Sequence, residues 1–521
     1  MVSNADLKIY TCLAMKARSD LWMTVAATAV VIGTVLAEPQ LAQSKKCCHA
    51  LAASSALHSK VLYPNSTAYE ARIDSIWSLD AALESWCLVL PESTKDTSEA
   101  IKIINKNECP FGIRSGGHGI FANANNVEDG VTIDFGFMNA TTYDSKTNTA
   151  SIQPGGRWGT VFQALEPYGI GVAGGRQTTV GVAGFLLGGG NSWFNNAYGW
   201  GCDTVKNFEV VLADGRVVNA NADENRDLWI ALKGGSGNFG LVTRFDLRGI
   251  PLADPANPVM WGGQMVWDIS VIDDVIDTLV AFADNVDSDL RSTSHILTGY
   301  VSTSGWALLG SLDNIDNKPN EPAFDGYMAI PSLIQSTLRS DTLFNIALEF
   351  SGSARTYNFW LPGAVKNDAD ILKYSFKRHE DFVQQVIQAI PANTTWSSVL
   401  QLQPISVPMV SHAEGTNSLG LEDEIAGGPG IMTTIGLQME TPEIEAIIYP
   451  LALACQTDIE EYAAAKDAKW EYRYLNYADF TYDPIASYGR KSVERMRAVS
   501  ARYDRTGVFQ HLRKSGFKIP Q

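Results

Sequence analysis

The sequence is short of positive charge: 40 Lys and Arg stand against 57 Asp and Glu, a formal net charge of −17. No Lys/Arg block interrupts that balance, which disfavours a nucleic-acid partner, since such partners need a basic face. Cys-x-x-Cys pairs are absent, so a zinc ribbon or a thioredoxin-type site is not expected. There is no Walker A sequence, no HExxH and no GxSxG elbow. The seven histidines (His49, His58, His118, His295, His379, His412 and His511) show no metal-ligand spacing. Metal-hydrolase and serine-hydrolase chemistry therefore lacks support, and no metal site is expected. Beyond the N-terminus no apolar run suits a membrane span, no stable membrane partner is expected, and no repeat or low-complexity tract occurs.

The N-terminus reads as an export signal, residues 1–37. Lys16 and Arg18 precede the apolar run Leu21–Leu36, and Val35-Leu36-Ala37 has the small-residue cleavage pattern. A cleaved signal is the reading, with initiation at Met15 or an uncleaved anchor as alternatives. Export puts the remaining cysteines (Cys47, Cys48, Cys87, Cys109, Cys202 and Cys455) where disulfides persist. Cys87, Cys202 and Cys455 read as buried thiols or a further disulfide rather than as nucleophiles. The sequons at Asn65, Asn139 and Asn393 are then candidate glycosylation sites on the surface.

At 521 residues, two packed parts are the default. Up to about residue 252, short strands, helices and glycine turns alternate: strands at Trp86–Leu90, Gly130–Phe135 and Thr149–Gln153, helices at Thr94–Asn105 and Trp158–Pro167, and a hairpin across Ala213–Arg216. Residues 253–465 mix strands (Met260–Trp267, His295–Val301, Leu343–Phe350, Ser397–Ile405, Ile431–Met439) with helices (Ile272–Asn285, Ile371–Ala389, Pro442–Lys466), an α+β pattern on an antiparallel sheet. The C-terminal piece, 466–521, opens with an aromatic-rich strand, Glu471–Asp479, followed by a helix from about Ala486 to Asp504.

Two glycine clusters carry the chemistry. In Pro110–Gly119 (PFGIRSGGHG) a short strand runs into Arg114, Ser115, Gly116, Gly117, His118 and Gly119. Successive backbone N–H groups in such a turn form an anion-binding nest, here with a histidine facing it. Gly171–Gly190 (GVAGGRQTTVGVAGFLLGGG) is too apolar for a solvated loop and suits backbone packed on a flat ligand. Gly235–Gly240 (GSGNFG) matches GxGxxG literally. A Rossmann fingerprint must open a helix, whereas the β-like run Leu241–Leu247 follows here, so a nicotinamide site is rejected. A nest with a histidine, an apolar platform and a tyrosine-rich segment together suit a large, flat, phosphorylated cofactor.

The motifs RSGGH (Arg114–His118), VTIDF (Val131–Phe135), PGGRWG (Pro154–Gly159), TVGVAG with LGGG (Thr179–Gly190), DLWIALKGGSGNFGLVT (Asp227–Thr243) and YLNYAD (Tyr474–Asp479), in this order, resemble the berberine bridge enzyme-like flavin oxidases. These have the vanillyl-alcohol-oxidase, or PCMH-type, FAD fold, and secreted fungal members are the most similar. The resemblance runs from about residue 47 to the end. It implies an α+β chain: a two-part FAD-binding domain (47–252, core about 82–252, and 466–521) with an inserted substrate domain (253–465).

The resemblance also implies the site. His118 would carry FAD covalently, the turn from Arg114 through Gly119 would hold the pyrophosphate, and Thr179, Val180, Gly181, Gly184, Gly188, Gly189 and Gly190 would line the flavin. Gly240 and Val242 would sit near the adenine, Asn476 would contact the cofactor, and Tyr477 would be the catalytic base. One of the adjacent Cys47 and Cys48 would pair with Cys109, with Cys48–Cys109 the pairing expected and Cys47 the alternative. Doubly linked members have a cysteine where this sequence has Gln177, so a single histidyl link is expected. Valine at 180 goes with oxygen-reactive members. The implied reaction passes a substrate hydride to the flavin and then electrons to O₂, giving H₂O₂, with an alcohol, sugar or secondary metabolite as the small-molecule substrate. An oxidative cyclase of natural-product assembly is the alternative, and a non-enzymatic carbohydrate-binding protein the more remote one. A monomer is expected. A tyrosine base, with a pKa near 10, needs a cation to support its phenolate; Lys60, Arg114 and Arg473 are the sequence's candidates. Gln401 and Gln403 alternate along a strand, and a cavity wall and a solvated face are both open to them.

Overall fold

The computed structural model describes residues 42–352, 355–413 and 415–521; the expected signal at 1–37 lies outside the described residues. No helix among the described residues is long and apolar enough to cross a membrane.

The N-terminal half builds two sheets. In the first, strands Cys87–Val89, Val131–Asp134 and Phe111–Arg114 run parallel, with Val61–Leu62 antiparallel at one edge. Their burial is nearly continuous, as expected of parallel strands covered on both faces. Helix Thr94–Lys106 covers this sheet through Ala100, Ile101 and Ile104, and is capped by the Ser93 hydroxyl accepting from the Asp96 N–H. The second sheet is antiparallel, in the order Thr141–Asp144, Thr149–Ile152, Leu241–Arg248, Val205–Val211, Val217–Asn221. Leu241–Arg248 is therefore a central strand, consistent with rejecting a helix-opening fingerprint before it.

A nine-stranded antiparallel sheet dominates residues 259–470. Alternation sorts its faces. Leu400 and Leu402 point to the core shared with helices Ile272–Asp284, Ala369–Ala389 and Pro442–Ala465, while Gln401 and Gln403 point the other way. That other face looks toward the glycine runs. The C-terminal segment returns to the first sheet: Arg513 bridges Phe111 in parallel, and the Ser515 hydroxyl accepts the Ile113 N–H.

Several expectations are corrected. Leu343–Glu349 is a helix, not a strand, because Leu343, Ile346 and Ala347 bury at helical spacing behind a Thr342 cap. Glu471–Asp479 is not a strand. Only Lys469–Trp470 pairs, and the chain then turns through the 3₁₀ segment Leu475–Tyr477. Two ten-residue strands are among those that escaped the sequence reading. Gly305–Asn314 hairpins with Ser292–Val301, and Tyr357–Lys366 carries Pro362 and Gly363, residues that argue against a strand interior. Its neighbour Lys469–Trp470 covers only Ala364 and Val365, which leaves Pro362 without a ladder partner on that side.

The expected Cys48–Cys109 pairing is also corrected. Cys47 pairs with Cys109 and Cys48 with Cys87, while Cys202 and Cys455 are free and buried. Adjacent residues on a helix point in different directions, so one thiol reaches strand Cys87–Val89 and the other the turn before strand Phe111–Arg114. Non-reducing peptide mapping should return these two linkages. Their sequence separations are 62 and 39 residues. Replacing Cys87 with Ala should cost about 3–4 kcal/mol of unfolding free energy on the chain-entropy account.

Three carboxyls meet where the N-terminal part touches the long helix Pro442–Ala465. Burial, then the charge of Asp80, raises the Glu445 carboxyl to about 7; Asp80 and Asp479 are raised too, chiefly by burial. A raised carboxyl favours folding most below its ordinary range and loses that contribution as pH climbs toward 7. The wild-type denaturation midpoint should therefore fall from pH 5 to pH 8, and Glu445→Gln should fall less. Parallel curves for the two proteins would refute the assignment.

Candidate active site

The two glycine runs touch. A Cβ built at Gly116 would lie 2.4 Å from the Gly181 Cα, and one at Gly181 would lie 2.5 Å from the Gly116 N. Only glycine at both positions permits this backbone-on-backbone approach. Gly117 turns the chain at φ +70°, and its carbonyl accepts the Trp77 N–H at 2.9 Å. The turn sits at the carboxyl end of a parallel strand, where open sheets of this kind bind ligands.

Arg114 does not reach over this turn. It is buried beneath it, 3.2 Å from Asp134, and it also donates to the Arg72 carbonyl and the Ser75 hydroxyl. Asp134 in turn takes Arg72 at 2.8 Å. Arg157, at the start of helix Trp158–Leu165, donates to the Thr179 carbonyl at 2.9 Å and to the Ser75 carbonyl at 3.3 Å. Arg157 thus ties the segment before Trp77 to the second glycine run.

Between those two walls lies His118. Its ring stacks on Trp77 with centroids 4.6 Å apart and planes 15° apart, and Nε2 lies 3.1 Å from the Thr179 hydroxyl. Desolvation, then the charge of Arg157, pushes its pKa down to about 3. The imidazole is therefore neutral at ordinary pH and has a lone pair to offer.

His118, Arg157, the run Arg176–Val180, Phe350, Trp360, Gln401, Asn476 and Tyr477 are all half-buried, and the run 176–180 meets His118 through Thr179 and Tyr477 through Arg176. Gly184, in helix Val182–Leu187, presents bare backbone: a Cβ there would meet nothing within 4 Å. Gly189 and Gly190 hold φ of +111° and +94° as the chain leaves this helix. Asn476 donates to the Phe185 carbonyl and to the Tyr474 hydroxyl, both at 3.0 Å, and so fastens the C-terminal segment to the helix. The Gly240 Cβ position abuts Val210, and Val242 is a core residue.

Tyr477 faces the cleft beside Trp360, with ring centroids 5.0 Å apart. Its hydroxyl takes Gln403 Nε2 at 3.3 Å and Arg176 Nη2 at 3.4 Å. Arg176 also donates to Gln403 Oε1 at 2.7 Å and lies 3.2 Å from His295 Nδ1. His295 is neutral, its pKa driven well down by burial and then by Arg176. Among the described residues no carboxylate lies within ion-pair distance of Arg176. Asp313 is buried on the neighbouring strand, and burial raises it to about 7.

Arg176 is the residue the sequence reading missed. The three cations it named are spent elsewhere: Lys60 on Asp96 and Glu92, Arg114 on Asp134, and Arg473 on Glu460. The signal for Arg176 was its place inside an otherwise apolar, glycine-rich run. Of the two readings left open for Gln401 and Gln403, the structure favours the cavity wall: Gln403 is 2% exposed and bonds Arg176, Asn191 and Gln401. The sequon residues Asn65, Asn139 and Asn393 are exposed.

Comparison with known proteins accords with this geometry. Residues 86–221 match the family model described as an FAD binding domain. An FAD-dependent monooxygenase of Emericella nidulans is 37% identical over 91% of this chain and 98% of its own length. Another, of Aspergillus calidoustus, is 33% identical over 91% of this chain and 90% of its own. Among solved structures, the glucooligosaccharide oxidase of Acremonium strictum, described as carrying a 6-S-cysteinyl, 8α-N1-histidyl FAD, superposes with a TM-score of 0.71. It is 16% identical and is matched over 90% of this chain and 100% of that one, a likeness of fold alone. With a nest at a strand end, a glycine platform and relatives matched over nearly their full length, the chain belongs to the berberine bridge enzyme-like, PCMH-type FAD-linked oxidoreductases.

Proposed function

We propose that the protein is an exported oxidase holding FAD through a single bond to His118 and oxidising an alcohol, sugar or secondary-metabolite hydroxyl. The observation that carries the reading is the convergence of Tyr477, Arg176 and Gln403, with Arg176 in the same glycine-rich run whose Thr179 holds His118. Two disulfides and three exposed sequons support the extracellular setting.

The residues fit the cofactor. The turn Ser115–Gly119 offers N–H groups to the pyrophosphate, Gly184 leaves room against the glycine run, and His118 is neutral and half-exposed to the cleft. Bound FAD supplies a two-electron acceptor for substrate hydride and a route for those electrons to dioxygen. Tyr477 takes the proton from the substrate oxygen. Arg176, together with the Gln403 amide, stabilises the phenolate that this role requires, since a cation beside an acid favours its ionised form. Gln177 leaves the second, cysteinyl attachment without a thiol.

The names of the two fungal relatives favour a second reading, in which one oxygen atom of O₂ enters the product. Turnover under ¹⁸O₂ separates the two: unlabelled product with stoichiometric peroxide is the oxidase outcome. A panel of aromatic alcohols, cellobiose and glucose, read by peroxide release, identifies a working substrate. With it, Tyr477→Phe should slow anaerobic flavin reduction by about 10²–10⁴-fold while changing substrate binding little. Arg176→Gln should slow reduction as well, with substrate binding changed little. An unaltered reduction rate in Tyr477→Phe would remove it as the base.

A further inference from the structure

We propose that Trp77 and Thr179 are positioning residues for flavin attachment, together forming a slot that presents one nitrogen of His118 to the cofactor. The proposal rests on the reading of His118 as the covalent ligand and extends it to residues outside the turn.

The imidazole is fixed in two independent ways. Stacking on Trp77 fixes the ring plane, and the Thr179 hydroxyl holds Nε2 at 3.1 Å. A ring held by both cannot swing about its χ2 axis, and a nitrogen accepting or donating to Thr179 is not free to react. We assign the bond as Nε2–H donating to Thr179, the tautomer that leaves the Nδ1 lone pair for the cofactor. Burial in this slot keeps that lone pair unprotonated.

Each wall is itself anchored. The Trp77 N–H donates to the Gly117 carbonyl, one residue before His118, and the Trp77 carbonyl accepts the Arg355 N–H at 2.7 Å. Arg114 and Arg157 both bond Ser75, two residues before Trp77, and Arg157 reaches across to the Thr179 carbonyl. One arginine therefore sets the width of the slot. The Trp77 indole N–H is buried without a partner, so the ring serves the stack rather than a hydrogen bond of its own. Holding a nucleophile this way raises its effective concentration against one atom, a gain that is lost when the ring is free to rotate.

The chemistry balances. A bond forms between the imidazole nitrogen and the 8α carbon of FAD. One 8α C–H and the imidazole N–H break, releasing two protons. The two electrons enter the isoalloxazine ring and pass to dioxygen, which takes up two protons to give one hydrogen peroxide per attachment. Thr179, against Nε2, accepts a strengthened hydrogen bond while positive charge builds on the ring.

The test uses full-length protein produced under riboflavin limitation and then given FAD in air. Attachment is followed by flavin fluorescence of the denatured band, and reversible binding by quenching of free FAD fluorescence before denaturation. Thr179→Val and Trp77→Leu should each bind FAD reversibly and attach it at least tenfold more slowly than wild type. Thr179→Ser and Trp77→Phe should recover most of the rate, an outcome a merely space-filling role at Thr179 would not give, because valine fills that space as well. Attachment at the wild-type rate in both Thr179→Val and Trp77→Leu overturns the proposal while leaving His118 as the ligand. A wild-type protein whose flavin comes off entirely in acid overturns both. Should Thr179→Val not fold, Thr179→Ala takes its place, and wild-type attachment in both Thr179→Ala and Trp77→Leu overturns the proposal.

Discussion

The backbone contact between Gly116 and Gly181 is the constraint on which the site depends. It brings a turn at the end of a parallel strand against a segment that is 65 positions later in the chain, with no side chain between them. Because neither residue has a Cβ, the two runs close to a separation that side chains would prevent, and everything attached to them follows. Two residues past Gly116 on one side and two before Gly181 on the other, His118 and Thr179 come into hydrogen-bond range. Further back along the second run, Arg176 is carried under the nine-stranded sheet to meet Gln403 and Tyr477. The proposed tether, His118, and the proposed base, Tyr477, are thereby both placed by one close approach.

Much of this was legible in the sequence, and the exceptions have physical causes. Period-2 alternation gave Ser397–Ile405 and Ile431–Met439 nearly to the residue, because each has one face on a helical core and one on the cleft. Helical spacing gave the three long helices for the same reason. Leu343–Glu349 failed because a seven-residue apolar segment supports either period until a cap decides it, and Thr342 is that cap. Tyr357–Lys366 failed because Pro362 and Gly363 oppose a strand locally, and only its place in the sheet makes it one. Tyr472 and Tyr474 do alternate, but Asn476 spends its amide on Phe185 and Tyr474, and the chain turns instead of extending.

The disulfides and the cation show the other limit. Pairing among Cys47, Cys48, Cys87 and Cys109 depends on which way two neighbouring helical side chains point relative to two strands, and no spacing encodes that. The cation beside Tyr477 comes from 301 positions away in sequence. Lys60, Arg114 and Arg473 are as basic as Arg176 on paper; what distinguishes them is the company they keep, and company is a property of the fold.

That company orders the arginines of the cleft by function. Arg114 is fully buried and ion-paired with Asp134, so its charge is neutralised and its part is to hold the turn from below. Arg157 bonds two carbonyls, and its charge adds to the burial that holds His118 neutral. Arg176 bonds only neutral partners: an amide, an imidazole that burial keeps uncharged, and a phenol. A half-buried guanidinium without a counter-ion is costly unless a negative charge arrives during function. In this cleft the groups able to supply one are the Tyr477 oxygen and the oxygen of a substrate giving up its proton. On the proposed role of Tyr477, proton transfer between them would move the charge from one to the other within reach of the same cation. Among the described residues the carboxyl that feels the Arg176 charge is Asp313, raised to about 7 chiefly by burial, and no carboxylate is bonded to the arginine itself.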